Sequence, residues 1–336
     1  MPVEIEEEDY SPCDLQSPPE DKAETVALKV PVSMSGSRLD QVLAQMLPEF
    51  SRSRLAALAK AGNVTIDAKV GLPKTKLFGG EEIRATLMPR DAEMAFLPED
   101  IALNVLFEDD AFLVVDKQAG LVVHPGAGNW SGTLLNALLF RNPAVAQLPR
   151  AGIVHRLDKE TSGVMVVAKT EAAQLSLVRQ LQARTVKRIY MALVRGQPPQ
   201  EGVVEKPIGR HPHHRTKMAV VGDDEGQGGK TAITYFRVLQ RFPLHALIEC
   251  QLETGRTHQI RVHMQSIGFP IEGDQVYSPG TAGVDATTRE VFRNFGRQAL
   301  HARKLSFEHP EHGESVTFEA LLPADMRELI DVVAAL

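Results

Sequence analysis

The sequence has few cysteines and no long apolar run. Cys13 and Cys250 are its only cysteines among 336 residues, too few for a disulfide framework or for a cysteine-rich zinc site. No apolar run approaches the roughly 18 residues that are needed to cross a bilayer. The N-terminal segment is acidic rather than basic, which argues against a secretory signal. We therefore expect a reducing, cytoplasmic setting without membrane contact.

The chain has little excess of either charge once its N-terminal segment is set aside. Residues 1–25 contain nine acidic residues and one lysine, whereas the rest of the chain contains 36 basic and 34 acidic residues. The net charge of −6 therefore does not exclude a nucleic-acid ligand, which needs only local basic patches. Because the acidic segment is rich in Pro and Ser and poor in aromatic residues, we predict that residues 1–28 form a disordered tail.

The length of the chain and the position of a linker-like stretch predict two folded domains. Residues 86–100 contain Pro89, Pro98 and several acidic residues, which is typical of a linker. A small domain would then span residues 29–85 and a larger one residues 101–336. The larger part alternates strand-like and helix-like segments without an internal repeat, which indicates an α+β fold.

The small domain is predicted to contain two amphipathic helices followed by strands. Ser37 and Ser51 are suited to cap the two helices, and Gly62 to end the second one. Residues 36–77 carry seven basic residues against three acidic ones. The basic residues are Arg38, Arg52, Arg54, Lys60, Lys69, Lys74 and Lys76. Such a surface is either an RNA-binding face or a solvated helix face.

The strongest local pattern lies at residues 150–168. An apolar run meets His155-Arg156-Leu157-Asp158, turns through Thr-Ser-Gly, and enters the buried-strand pattern of residues 164–168. A carboxylate between two apolar runs would be partly desolvated and would need a cationic partner to stay ionised. The residues alone leave two interpretations open: a reactive carboxylate, or a solvated turn between two strands.

Residues 155–163, His-Arg-Leu-Asp-Lys-Glu-Thr-Ser-Gly, resemble the H-R-L-D-x-x-T-S/T-G signature of the Rlu-type RNA pseudouridine synthases. Residues 255–263, Gly-Arg-Thr-His-Gln-Ile-Arg-Val-His, are similar to a second segment of that family. Residues 117–126 resemble the family segment that precedes the Asp motif. The order of elements in the small domain resembles the S4 RNA-binding domain.

The resemblance implies both a fold and an activity. It implies a small S4-type domain followed by a catalytic domain with a mixed, mostly antiparallel sheet. Asp158 is then the catalytic carboxylate, Arg261 its charge partner, and Tyr190 the residue that stacks on the uracil. No cofactor and no metal are expected, because isomerising uridine involves no redox step. Whether Asp158 attacks the sugar or the base, or removes a ribose proton, stays open.

The family resemblance also implies how RNA is held. Arg156 would enter the base stack where the target uridine has been flipped out, with His155 beside it. Basic residues elsewhere would contact the RNA backbone: Arg38, Arg52, Arg54, Lys60, Arg210 and Arg215. The expected partner is large-subunit rRNA or a pre-ribosomal 50S particle, met by a monomer. The expected target is the helix 69 stem-loop of 23S rRNA; another rRNA or tRNA site is the alternative.

Four further interpretations of the sequence carry less weight. His211, His213 and His214 are close together, but no carboxylate cluster joins them, so a flexible basic loop is favoured over a metal site. The glycines at 126, 128 and 132 lack the strand–helix–strand context of a dinucleotide loop. A non-catalytic ribosome assembly factor is disfavoured by the presence of Asp158, and a two-carboxylate glycosidase by the absence of a comparable second carboxylate.

Overall fold

The computed structural model describes residues 24–87, 95–126, 128–214, 217–222, 228–278 and 286–336. The chain divides into two compact units, Met1–Ala95 and Phe96–Leu336. The division falls within the stretch predicted as a linker. The first strand begins at Glu24, so the predicted end of the acidic tail at residue 28 is too late. Pairing with a neighbouring strand along all six residues extends this strand into the acidic segment.

The first unit is a four-stranded antiparallel sheet with two helices. Its elements are β1 (Glu24–Lys29), α1 (Leu39–Met46), α2 (Arg52–Lys60), β2 (Val64–Ile66), β3 (Lys69–Val70) and β4 (Glu82–Leu87), with a 3₁₀ turn at Val32–Met34. The strand order is β1-β4-β2-β3. Leu39, Leu43, Leu55 and Ile83 are fully buried in its core. Ser51 caps α2 by accepting a hydrogen bond from the backbone N–H of Arg54 at 3.3 Å, as predicted.

The second unit contains eleven strands and five helices among the described residues. The strands are β5 (Asn104–Glu108), β6 (Phe112–Lys117), β7 (Ser162–Ala168), β8 (Lys187–Arg195), β9 (Glu201–Glu205), β10 (Ile208–Arg210), β11 (Met218–Val220), β12 (Ile233–Arg241), β13 (His245–Leu252), β14 (Leu300–Glu308) and β15 (Ser315–Glu319). The helices are α3 (Leu134–Arg141), α4 (Glu171–Gln182), α5 (Gln259–Ser266), α6 (Ala286–Phe295) and α7 (Ala324–Ala334). Two 3₁₀ segments, Pro143–Gln147 and Pro149–Gly152, precede β7.

Nine of these strands form one sheet in the order β5-β6-β7-β14-β8-β13-β12-β9, with β15 paired to β14. All pairs are antiparallel except β7 with β14. The mixed, mostly antiparallel sheet predicted for the larger domain is therefore confirmed. The fold is α+β.

The central strand β7 is buried on both faces. Met165 and Val167 pack into one hydrophobic cluster, and Val164 and Val166 into another on the opposite face, as the period of two in a strand requires. Gly163 opens the strand with φ +116°, and a Cβ there would lie 2.2 Å from the carbonyl oxygen of Ala302 on β14. The glycine of the Asp motif therefore allows β7 to pair closely with β14.

The segment predicted as a flexible basic loop is partly ordered. Residues 208–210 and 218–220 pair as a two-stranded antiparallel hairpin, β10–β11. The backbone N–H of Met218 donates to Tyr277 Oη at 2.9 Å, and Lys217 Nζ donates to the carbonyl of Val276 at 3.1 Å. The basic residues and Pro212 are typical of a loop, so the sequence does not show the two short strands. Tertiary hydrogen bonds hold the hairpin in place.

No helix in the described part of the chain is long and apolar enough to cross a membrane. Within the same residues, no group of three or more His, Cys, Asp or Glu side chains is placed to hold a metal ion.

Candidate active site

Asp158 lies in the loop between the 3₁₀ segment Pro149–Gly152 and β7. Its Oδ2 accepts a hydrogen bond from Arg261 Nη1 at 2.9 Å. The side chain of Asp158 is 19% exposed and that of Arg261 is 6% exposed. Residues 103 positions apart in sequence therefore form a close pair in which the carboxylate still reaches solvent. The predicted pairing of these two residues is present in the structure.

Arg261 is fixed by a second carboxylate. Its Nε and Nη2 donate to Asp274 at 2.7 and 3.0 Å, and the Asp274 side chain has no exposed surface. Burial alone would lower the pKa of Arg261, but the hydrogen bonds and charges of Asp274 and Asp158 outweigh it and raise the pKa. The guanidinium is thus permanently charged and aimed at Asp158 before any substrate arrives.

Asp274 has further donors. Its Oδ1 accepts the backbone N–H groups of Val276 and Tyr277 at 2.9 and 3.1 Å. The turn after Pro270 therefore carries the Asp that orients Arg261. The sequence analysis gives Asp274 no role, because a buried ion pair between separate segments leaves no local pattern.

Tyr190 projects from β8 and is 7% exposed. Burial raises the pKa of its phenol; Arg188 opposes the shift, and the charge of Asp158 adds to it. The phenol is therefore protonated at neutral pH and lies within electrostatic range of Asp158. Its buried ring and protonated hydroxyl suit a flat apolar ligand with one polar edge.

His258 is a residue of the site that the sequence did not identify. It has the left-handed conformation, φ +56°, directly before α5, a strained conformation for a non-glycine residue and one that is common at functional sites. Its Nε2 lies 3.9 Å from Asp158 Oδ1. As the residue before α5, His258 makes no side-chain cap hydrogen bond to the helix.

Tyr277 holds the ring of His258 in place. Tyr277 Oη lies 2.8 Å from His258 Nδ1 and accepts the backbone N–H of Met218. Burial lowers the pKa of His258 more than the charge of Asp158 raises it. The ring of His258 is therefore neutral at pH 7, and its Nε2 faces Asp158 Oδ1 at 3.9 Å.

A buried lysine holds the loop that carries Asp158. Lys117 is 1% exposed, and its ammonium donates to the backbone carbonyls of Gln118, Leu121 and Lys159 at 2.9, 3.0 and 3.0 Å. All three of its protons are used. Burial lowers the pKa of Lys117 to about 8, against the charges of Glu160 and Asp158.

Three side chains from the end of the chain hold the next three loop residues. Arg297 Nη1 donates to the carbonyl of Glu160 at 3.2 Å, Gln298 Nε2 to Thr161 Oγ1 at 3.0 Å, and Ser162 Oγ lies 2.9 Å from His301 Nδ1. Arg297 also forms a two-pronged pair with Asp325 of α7. Each of residues 159–162 is thus held by a side chain from elsewhere in the chain, which keeps Asp158 in place.

The two residues before Leu157 have different surroundings. His155 Nε2 accepts the backbone N–H of Val166 at 3.1 Å, and burial lowers the pKa of its ring to about 3. This neutral ring holds the loop to β7. Arg156 is exposed and makes no hydrogen bond or ion pair within the part of the chain that the structure describes. Of these two residues, Arg156 is therefore the one whose side chain is exposed to solvent.

The basic residues predicted to bind RNA are not equivalent. Arg38 and Arg52 both donate to Asp40, which is 5% exposed, at 3.0 and 2.8 Å. Arg54 lies over the Phe50 ring, and Lys60 is exposed at the end of α2. In the second unit Arg210 is exposed on β10. Arg215 lies outside the described residues.

Comparisons with known proteins agree with this geometry. Residues 111–266 match the family model described as RNA pseudouridylate synthase. The chain is similar to the ribosomal large subunit pseudouridine synthases D of Neisseria meningitidis serogroup A (53% identical; 97% of this chain, 87% of that protein), Nitrosomonas europaea (52%; 92% and 88%) and Pseudomonas aeruginosa (48%; 91% and 95%).

Solved structures point the same way. Human RNA pseudouridylate synthase domain containing 4 superposes with a TM-score of 0.54 at 27% identity, over 68% of this chain and 92% of that one. Human RNA pseudouridylate synthase domain containing 1 does so with a TM-score of 0.53 at 26% identity, over 71% and 97%. Sequence, fold and the position of the Asp motif thus agree, and the chain belongs to the RNA pseudouridine synthase family.

Proposed function

We propose that this enzyme converts specific uridines of large-subunit rRNA into pseudouridine and that Asp158 is its catalytic residue. The observation that carries the assignment of Asp158 is its geometry. One carboxylate oxygen is held by a fixed, buried guanidinium, and the other, Oδ1, has no direct hydrogen bond within the described residues and lies 3.9 Å from His258 Nε2. The rRNA substrate is supported by the names of the full-length relatives.

The reaction breaks the N1–C1′ bond of uridine, rotates the base, and forms a C5–C1′ bond. C5 loses a proton and N1 ends with one, so product and substrate are isomers and no oxidant or reductant is required. An ionised Asp158 supplies the reactive oxygen, whether at C1′, at the ring, or at a ribose proton. Tyr190 stacks on the uracil with its buried ring.

We further infer that the first unit is an S4-type RNA-binding domain and that Arg156 replaces the flipped base in the RNA stack. The order of its helices and strands, together with the basic residues on and around α2, supports the first inference. The side chain of Arg156 supports the second, because it is exposed two residues before Asp158 and has no partner within the described residues. A base flipped from a loop costs less unstacking energy than one from a duplex, which favours a stem-loop target.

The proposed target is the stem-loop of helix 69 in 23S rRNA. The test is pseudouridine mapping of 23S rRNA from cells lacking this protein, with the parent strain and a strain complemented by the gene as controls. We expect helix 69 uridines to be unmodified in the deletion strain and restored on complementation. Fully modified helix 69 with reduced modification elsewhere in rRNA or tRNA would overturn this target and keep the enzyme class.

The basic surface of the first unit should contribute affinity without contributing chemistry. Replacing Arg54 and Lys60 together by alanine should weaken rRNA binding and reduce the slope of log K against log salt by roughly 0.7–0.9 for each phosphate that is no longer neutralised. The rate at saturating RNA should stay within about twofold of the parental rate. Arg84→Ala is the matched control, because Arg84 is 65% exposed and pairs with Glu82 on β4. An unchanged slope in the double variant would show that these residues only solvate the helix.

Lys117 predicts an alkaline limit on activity. Above about pH 8 the neutral amine has two protons for three carbonyls, so the loop should loosen and the single-turnover rate at saturating RNA should fall as the pH rises. The contribution of Lys117 to the stability of the folded protein should change in the opposite direction and increase as the pH rises. The folded pKa is lowered from 10.5 to about 8, so the unfolded chain binds more protons between these values, and this lysine's contribution to the unfolding free energy increases with pH. A rate that stays level up to about pH 10 would contradict this role.

A further inference from the structure

Arg188 is buried on the active-site face of β8. It stands two residues before Tyr190, so both side chains project from the same face of the strand. Arg188 is 9% exposed. Its charge acts on both Tyr190 and His155, which places the guanidinium beside the proposed uracil pocket.

The guanidinium of Arg188 has no anionic partner among the described residues. Its Nη2 donates to the backbone carbonyl of Glu253 at 3.3 Å, and its Nε is buried without a hydrogen bond. The nearby carboxylate of Glu253 is already used, because Arg184 and Tyr235 both bind it.

The other buried arginines differ from it. In the described part of the chain, Arg261 and Arg297 are each 5% exposed. Arg261 donates two hydrogen bonds to the carboxylate of Asp274, and Arg297 donates two to that of Asp325. A buried charge without a partner is unfavourable, and folds normally supply a counter-charge. Burial also lowers the pKa of Arg188. The missing partner is the feature that requires an explanation.

The surroundings of Arg188 are shaped to admit it. A Cβ on Gly255 would lie 2.5 Å from Arg188 Nη1, so the glycine of the Gly255-Arg256-Thr257-His258 turn leaves room for the guanidinium. The same turn leads to His258 and to Arg261 on α5. Arg188 therefore lies against the turn that leads to these two residues of the site.

We propose that Arg188 binds a backbone phosphate of the RNA at or next to the target uridine. The proposal rests on the proposed function, since phosphate is the anion that an RNA substrate brings into this cleft. A guanidinium is well suited to phosphate, because its charge and its planar set of N–H donors match the phosphate oxygens. The bound phosphate would supply the missing counter-charge and position the flipped nucleotide over Tyr190.

The test compares Arg188→Met and Arg188→Lys with the parent enzyme, using an rRNA fragment that the parent modifies. Arg188→Met should weaken RNA affinity on the order of tenfold and reduce the salt slope by roughly 0.7–0.9, the value for one phosphate. Its melting temperature should be equal to or above that of the parent, because an unpaired buried charge has been removed. Arg188→Lys should keep most of the slope. Lys187→Met is the matched control, since Lys187 is the exposed neighbour on the same strand and should leave slope and activity unchanged.

A methylphosphonate scan locates the bound phosphate independently of protein folding. Neutralising the phosphate that Arg188 binds should weaken the affinity of the parent enzyme by the same factor as the Arg188→Met substitution does with unmodified RNA. The affinity of Arg188→Met should not decrease further when that phosphate is neutralised. Arg188→Met with a lowered melting temperature and parental affinity and slope would show a purely structural arginine and overturn the proposal. A parent that modifies no rRNA would instead overturn the proposed function, which separates the two failures.

Discussion

Asp158→Asn is expected to reduce pseudouridine formation by on the order of 10³-fold or more, with rRNA binding retained. Asparagine keeps an oxygen that can accept the Arg261 Nη1 hydrogen bond, so the loop held by Lys117 and Arg297 should keep its shape. The charge is removed, and with it the reactive oxygen of the proposed chemistry. Binding persists because backbone phosphate contacts dominate RNA affinity. Single-turnover rates and filter binding on the same RNA measure the two effects.

Asp110→Asn is the matched control for this change. Asp110 is exposed in the same unit before β6, and its replacement should leave both rate and affinity within about twofold of the parent. Activity of Asp158→Asn within about tenfold of the parental rate would exclude Asp158 as the reactive carboxylate.

Arg261→Met should also abolish turnover, and it should lower stability as well. Asp158 loses its charge partner, and the fully buried Asp274 keeps only its backbone donors. Leaving one member of a buried ion pair alone costs about 3–5 kcal/mol, which thermal or urea unfolding can measure. Arg261→Lys should be intermediate, because one ammonium cannot donate to both carboxylates in the geometry of the guanidinium fork.

The two effects of Arg261 can be separated with a second substitution. Adding Asp274→Asn to Arg261→Met removes the uncompensated buried charge, so much of the missing stability should return while turnover stays absent. If the double variant regains the parental rate, Arg261 only stabilises the fold and does not act on Asp158.

The residues that sequence could identify are those in contiguous motifs. Asp158, Tyr190 and Arg261 each stand in a short pattern that a family resemblance recognises without knowledge of the fold. Lys117 was also within such a pattern, but its three carbonyl partners were not visible, because they depend on how residues 118–121 and 159 meet in space. Asp274 and Arg297 act through partners on other elements, which local periodicity does not encode.

The same contrast between local sequence patterns and long-range contacts applies to the secondary structure. Strands with clear apolar patterns, such as β7 and β12, were predictable from their residues. The β10–β11 hairpin was not, because its basic residues and Pro212 are typical of a loop and its order comes from hydrogen bonds to Tyr277 and Val276. The left-handed His258 was also missed, since its strained conformation is stabilised by the completed site rather than by its neighbours in sequence.

The most direct test of the proposed function is pseudouridine formation on purified 23S rRNA by the purified enzyme. Pseudouridine is labelled chemically after the reaction and located by mass-shift mapping, with the parent and Asp158→Asn run side by side at equal RNA occupancy. We expect modification at discrete uridines by the parent and none by Asp158→Asn. Equal modification by both, or none by a parent that binds the RNA, would contradict the assignment of Asp158 as the catalytic residue of an rRNA pseudouridine synthase.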